Sequence, residues 1–295
     1  MGGAFLRSIR IGRSLRGRHK TARERRRLTA AQELSIGPVV AYGHPKTATR
    51  SIERAIGSID GVEVFHTHML DPVHFTRKNN IFVPPTKSGL CPEDQPAQWP
   101  LADALSSGAR LSLVTAVRDP VAVNVSWFFF GLQRWLQSPR PVDPASIPFK
   151  TLEAVFREVY PHEGVLHWFS EEWAQVTGVS IDALAPVRTE GSATVQFAGQ
   201  GRACVLSAHL PDTRKAAVVE SFLAVPPGTV SFPRVNRGRD RPSPEVYDRL
   251  KKLVGSDEAY LERMYRSEYA RCFFEPAQLA TFRASWQALG GQERA

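Results

Sequence analysis

Short continuous apolar runs alternate along this chain with stretches whose apolar residues recur three and four apart, and their order predicts an α/β domain. Val39 to Tyr42 form a brief run rich in β-branched residues, stopped by Gly43 and Pro45, which reads as a buried strand entering a tight turn. Ile52, Ala55 and Ile56 then share one helix face, so a helix is expected from about Lys46. Val62 to Phe65 reads as a second strand. Leu111 to Val117 is a run of the kind a parallel sheet buries on both faces, and Val121 to Leu136 follows as a helix carrying Trp127, Phe128, Phe129, Phe130 and Trp135.

Prolines at 72, 84, 85, 92, 96 and 100 break residues 71–100, and a stretch of that length is expected to be a lid or binding loop that contacts an acceptor. After a proline-rich connector at 138–150 the pattern gives helices from Thr151 to Tyr160 and Glu163 to Val176, the second with Trp168, Phe169 and Trp173 at core spacing. Thr194 to Phe197 and Arg202 to Ser207 flank Gly199-Gln200-Gly201 as a hairpin. From Pro244 onward the period is helical.

Length and charge divide the chain. At 295 residues it can bury a full core, so one domain over 37–295 is expected, preceded by a basic flexible arm over 1–36. Residues 1–30 hold ten of the 38 Lys and Arg and only Glu24 of the 29 acidic residues, which leaves 28 of each for the rest. The basic balance therefore belongs to the arm, and a nucleic-acid partner for the folded body is not expected. Arg7, Arg10, Arg13 and Arg16 recur every third residue. A disordered arm, a helix on a membrane surface and a targeting or nucleic-acid segment are the readings this admits. Cys91, Cys204 and Cys272 give neither a disulfide framework nor a zinc site. No run reaches the roughly eighteen apolar residues that span a bilayer, so a soluble, cytoplasmic protein is expected, with peripheral membrane contact through residues 1–30 as one role for the arm.

The candidate chemistry sits where strands end. Pro45-Lys46-Thr47-Ala48-Thr49-Arg50-Ser51 brings an ammonium, a guanidinium and hydroxyls to the start of a helix, whose unpaired N–H groups and positive dipole end favour an anion. An ATP or GTP loop would be Gly-x-x-x-x-Gly-Lys-Ser/Thr, and this turn lacks the second glycine. An empty strand-to-helix turn is the plainer reading. The third strand ends in Arg118-Asp119-Pro120, with Ser126 eight residues after Arg118. A guanidinium and a hydroxyl suit a dianionic phosphate, and Asp119 with Pro120 also makes a good helix cap; both readings hold together. His66 and His68 would face the same way on a continued strand, as a proton acceptor, a packed pair, or metal ligands with His74. Residues 231–244 form a basic stretch around Arg237-Gly238-Arg239, with Arg234 and Arg241, which reads as a ligand-closing loop or a solvated charge run.

Pro45 to Ser51 resembles the 5′-phosphosulfate loop of sulfotransferases that use 3′-phosphoadenosine 5′-phosphosulfate (PAPS), and Arg-Asp-Pro with Ser126 resembles their 3′-phosphate signature. The resemblance covers roughly residues 38–130; the Tyr-rich helical end is loosely similar to bacterial proteins of capsular polysaccharide synthesis. It implies a P-loop NTPase-like three-layer sandwich with a mainly parallel sheet and a helical C-terminal extension. It implies PAPS as co-substrate without a metal, and a hydroxyl acceptor, most naturally a carbohydrate. Lys46 would act on the leaving oxygen, Pro45, Lys46, Thr47, Ala48, Thr49, Arg50 and Ser51 would hold the 5′-phosphosulfate, and Arg118 and Ser126 the 3′-phosphate. Arg237, Gly238 and Arg239 would close over the nucleotide. Heparan sulfate 2-O-sulfotransferases carry a His-x-His whose second histidine is the base, which falls on His68. Relatives often end a later strand in Arg-x-Glu-Asp-Leu, and Ser207 to Pro211 here lacks those charges. A nucleotide-holding module docking through its arm and a small-molecule kinase are the competing functions.

Overall fold

The computed structural model describes residues 15–71, 98–197, 199–233 and 243–291, with side chains from Ala22 in the first helix and from Pro100 in the helix that begins at Gln98. The chain runs through α1 (Leu15–Gln32), β1 (Val39–Tyr42), α2 (Thr49–Ile56), β2 (Val64–Thr67), α3 (Gln98–Ser106), β3 (Ser112–Val117), α4 (Pro120–Phe130) and α5 (Leu132–Trp135). A helical layer follows: α6 (Phe149–Ala154), α7 (Gly164–Trp168), a π-helical turn (Phe169–Trp173), α8 (Ala174–Thr177) and α9 (Pro186–Glu190). The hairpin of β4 (Ser192–Phe197) and β5 (Gly201–Ser207) leads to α10 (Asp212–Leu223), and α11 (Pro244–Gly255), α12 (Glu258–Tyr265), α13 (Glu268–Phe273) and α14 (Pro276–Gly291) form the C-terminal region.

The five strands form one sheet in the order β2-β1-β3-β5-β4, parallel except for β4 at one edge. Strand alternation sorts the core. Val40, Tyr42, Phe65, Leu113 and Val117 face the large cluster built with α4, the helical layer and the C-terminal helices. Val39, Ala41, Val114, Ala116, Cys204 and Leu206 face the other way, onto Ile52 and Ile56 of α2 and Val219 and Phe222 of α10. Helices thus cover both faces, which is why β1 and β3 are buried along their whole length and read as mainly apolar runs. β2 and β3 lie on opposite sides of β1, so the order of progress through the sheet reverses there and leaves a crevice at the carboxyl ends of β1 and β3.

The expected elements shift in three places. β2 starts and ends two residues later than its apolar run, so His66 pairs within the sheet opposite Ala41. The helix expected over 121–136 breaks at Gly131, where the Trp135 ring packs within 2.8 Å of the position a Cβ would take. The arm expected to be flexible over 1–36 is helical from Leu15, and its last turns join the body. Leu28 and Ala31 enter the core, Arg25 pairs with Asp103 at 2.9 Å, and Arg27 bridges Glu24 and Glu63. Among the described residues no helix is long and apolar enough to cross a membrane.

Candidate active site

The turn after β1 is held in an unusual backbone shape. Lys46 and Ala48 both have positive φ, 71° and 70°, which non-glycine residues seldom adopt and which keeps them outside α2. That strain delays the helix to Thr49, later than the sequence pattern suggests. Left-handed residues alternating with ordinary ones aim successive N–H groups into one concavity, a geometry that suits an anion. Gly43 is required by close approach, since a Cβ there would lie 2.6 Å from Thr115 Oγ1. Thr47 is turned inward: it is buried, and its hydroxyl donates to the His44 carbonyl at 2.7 Å. The Lys46-Thr47 pair therefore does not present its hydroxyl to a ligand as the Lys-Ser/Thr pair of an ATP loop does.

The two histidines meet beside this turn. Their rings pack edge to face at 4.6 Å, His66 Nε2 lies 3.1 Å from Thr49 Oγ1, and His68 Nδ1 lies 2.7 Å from the Gly43 carbonyl. A carbonyl only accepts, so His68 Nδ1 carries the proton and donates it, which leaves the lone pair on Nε2, the tautomer a general base needs. Burial lowers the His68 pKa to about 3, helped by the neighbouring His66. Burial and Arg50 lower His66 to about 4. His162, buried under Tyr260, and His209, near Arg118, are also lowered to about 4, chiefly by burial. His74 lies outside the described residues.

These imidazoles predict acid sensitivity. An unfolded chain takes up protons on them below a pKa of about 6.5, whereas the folded protein excludes those protons until about pH 4, so stability is present above that unfolded value and is lost as pH falls through the window between them. Each of the four costs at most about 2 kcal/mol at pH 5 relative to pH 7. Urea midpoints measured at the two pH values should fall on acidification; an unchanged midpoint would mean that the histidines are already open to solvent.

Arg118, at the end of β3, is fixed from the far end of the chain. Tyr269 Oη accepts the Arg118 N–H at 3.0 Å and donates to its carbonyl at 2.9 Å. Asp119 caps α4 by accepting from the Val121 N–H at 3.0 Å, and it accepts also from Tyr265 Oη and Trp286 Nε1, at 3.1 and 2.9 Å. Burial raises its carboxyl pKa against the pull of those donors. The Asp119 N–H donates to His209 Nε2 at 3.3 Å, so the segment after β5 supplies an imidazole to this corner. The Arg118 guanidinium donates to the Lys46 carbonyl at 3.2 Å, across 72 positions of sequence, which joins the corner after β3 to the turn after β1.

One cleft of about 980 Å³ collects these groups. Pro45, Lys46, Ala48, Thr49, Arg50 and Ser51 line it with His68, Arg118 and Ser126. Of the turn residues expected there, Thr47 alone is not among the lining. Arg50 is engaged with Glu53 of its own helix at 2.7 Å, so an anion would have to compete for it. Arg237, Gly238 and Arg239 lie outside the described residues. No family model, curated protein or solved structure matches this chain. What the cleft can do is set by its own atoms: cations and N–H groups for an anion, and a neutral imidazole for a proton.

Sequence reasoning missed Phe130. It is 74 % exposed at the end of α4, one turn beyond Ser126, and the Lys46 ammonium stands 4.6 Å from its ring centre. Within the aromatic run from Trp127 nothing local sets it apart. It also missed Glu172, whose buried carboxylate gave no local signal.

Proposed function

We propose that this protein is a sulfotransferase that moves a sulfuryl group from PAPS to a hydroxyl, with a carbohydrate as the acceptor class, on a P-loop NTPase-like fold. The observation that carries the reading is the meeting of Lys46 and Arg118 at the sheet's switch point, in the same cleft as Ser126 and His68. In this reading the N–H groups of the turn, with Thr49, Arg50 and Ser51, hold the 5′-phosphosulfate. Arg118 and Ser126 hold the 3′-phosphate. His68 Nε2 takes the acceptor proton as the acceptor oxygen bonds to sulfur and the bond from sulfur to the phosphate oxygen breaks. Lys46 neutralises the charge growing on that departing oxygen. The cations and N–H groups of the cleft supply charge stabilisation, so the proposed transfer relies on fixed donors.

Calorimetry with 3′-phosphoadenosine 5′-phosphate tests this directly. The bisphosphate should bind more tightly than adenosine 5′-phosphate, and Arg118→Ala should weaken the bisphosphate by about 10- to 100-fold, the scale of one charge-assisted contact of roughly 1.5–3 kcal/mol. Adenosine 5′-phosphate should be little affected by that change. Equal affinity for the two nucleotides, or magnesium-dependent turnover of ATP, would remove the sulfotransferase assignment.

A further inference from the structure

The helix that carries Trp168 and Glu172 passes beneath the segment that follows β2. Trp168 Nε1 donates to the His68 carbonyl at 3.1 Å. The same oxygen of Glu172 accepts from Tyr42 Oη at 2.7 Å, from the Asp71 N–H at 3.1 Å and from the Leu70 N–H. Glu172 is 0 % exposed and Trp168 is 1 % exposed. Tyr42 directly precedes Gly43, and the Gly43 carbonyl in turn accepts from His68 Nδ1. Hydrogen bonds therefore tie Glu172 to Tyr42 and to the Leu70 and Asp71 amides, and tie His68 both to Gly43, the residue after Tyr42, and to Trp168, one helical turn before Glu172.

Glu172 lies in the π-helical turn Phe169–Trp173, a local widening of the helix. Such turns occur mostly as single interruptions, often at functional sites. A buried carboxylate is a costly way to fill a core, and one that takes up backbone N–H donors on a non-helical segment fixes that segment in place. Leu70 and Asp71 lie beyond β2, which ends at Thr67.

We propose that Glu172 is a positioning residue for proton transfer. It locks residues 68–71 and the end of β1 in the arrangement that keeps the His68 proton on Nδ1 and turns the Nε2 lone pair to the cleft. The inference rests on the reading of His68 as the base, but its physical content is the state of the His68 ring, which is measurable whether or not the protein transfers sulfuryl groups.

The test uses the full chain with Glu172→Gln, which keeps the shape and removes the charge, and Trp168→Phe, which keeps a ring and removes the Nε1–H donor. Nitrogen-15 spectra of the imidazoles report the His68 tautomer, and hydrogen exchange reports the Leu70 and Asp71 amides. The wild type should show the Nδ1–H form. Both variants should populate the Nε2–H form, and Glu172→Gln should speed exchange at Leu70 and Asp71 by at least about tenfold. Affinity for 3′-phosphoadenosine 5′-phosphate should stay within about threefold, while kcat falls by about 10- to 100-fold, the scale for a misplaced reacting group. Where Glu172→Gln does not fold, the Trp168→Phe spectrum decides. A wild-type His68 tautomer in the folded variants overturns the proposal. A shifted tautomer in a protein that transfers no sulfuryl group upholds it and sinks the sulfotransferase reading instead.

Discussion

Replacing His68 by alanine is expected to lower kcat by about 10²- to 10⁴-fold, the range for losing a general base, and to leave affinity for 3′-phosphoadenosine 5′-phosphate within a few-fold. The separation follows from the proposed roles. His68, held by Gly43 and packed against His66, would take the acceptor proton, whereas Arg118 and Ser126 would hold the phosphate, so removing the imidazole should spare the phosphate contacts. Single-turnover transfer to a panel of methyl glycosides, set beside calorimetry, checks both halves. Loss of affinity equal to the loss of rate would make His68 a binding group. The pH profile gives an independent reading. With the imidazole lowered to about 3 by burial, kcat/KM should show no acid limb from this group between pH 8 and 5, since the ring is already neutral there. A limb centred at pH 6 to 7 would assign the proton to another residue.

Lys46→Ala is expected to lower kcat by about 10²- to 10³-fold, the usual cost of removing one donor from a site where charge develops. The ammonium rests against the exposed ring of Phe130, an attraction of roughly 0.5–1 kcal/mol at such a site. That hold is weak enough for a departing oxygen carrying full charge to win the ammonium. Since the proposed interaction grows only as the sulfur–oxygen bond breaks, kcat and kcat/KM should fall together. A variant with raised KM and unchanged kcat would reduce Lys46 to a ground-state contact. In either case the turn should keep its shape, because Lys46 contributes to the wall through its backbone carbonyl as well as its side chain.

Much of this site was legible because its groups are local. The turn from Pro45 to Ser51 gathers its cations and hydroxyls from residues adjacent in sequence, and Asp119-Pro120 announces a cap that the structure contains. β1, β3 and the hairpin were visible because apolar runs and a Gly-Gln-Gly turn are short-range signals. The offset of β2 was not, because polar His66 and Thr67 continue the strand through pairing with β1 rather than through their own apolarity. Glu172 was hidden for a different reason. Its partners Leu70 and Tyr42 lie 102 and 130 positions away, and nothing beside it marks a buried acceptor. The packing of α1 was masked by its arginines, because Leu28 and Ala31 anchor it with a small apolar stripe inside a strongly basic helix.

The clamp on the corner after β3 also has a consequence in time. Trp286 reaches Asp119 across 167 positions, so a ribosome working at 5–20 residues per second completes the first part of the cleft roughly 10 to 30 seconds before it makes the side chain that steadies it. During translation the nascent chain can lay down β1 to β3 and still lack a firm seat for Arg118. The corner that carries Arg118 is thus complete only once the chain has been made as far as Trp286.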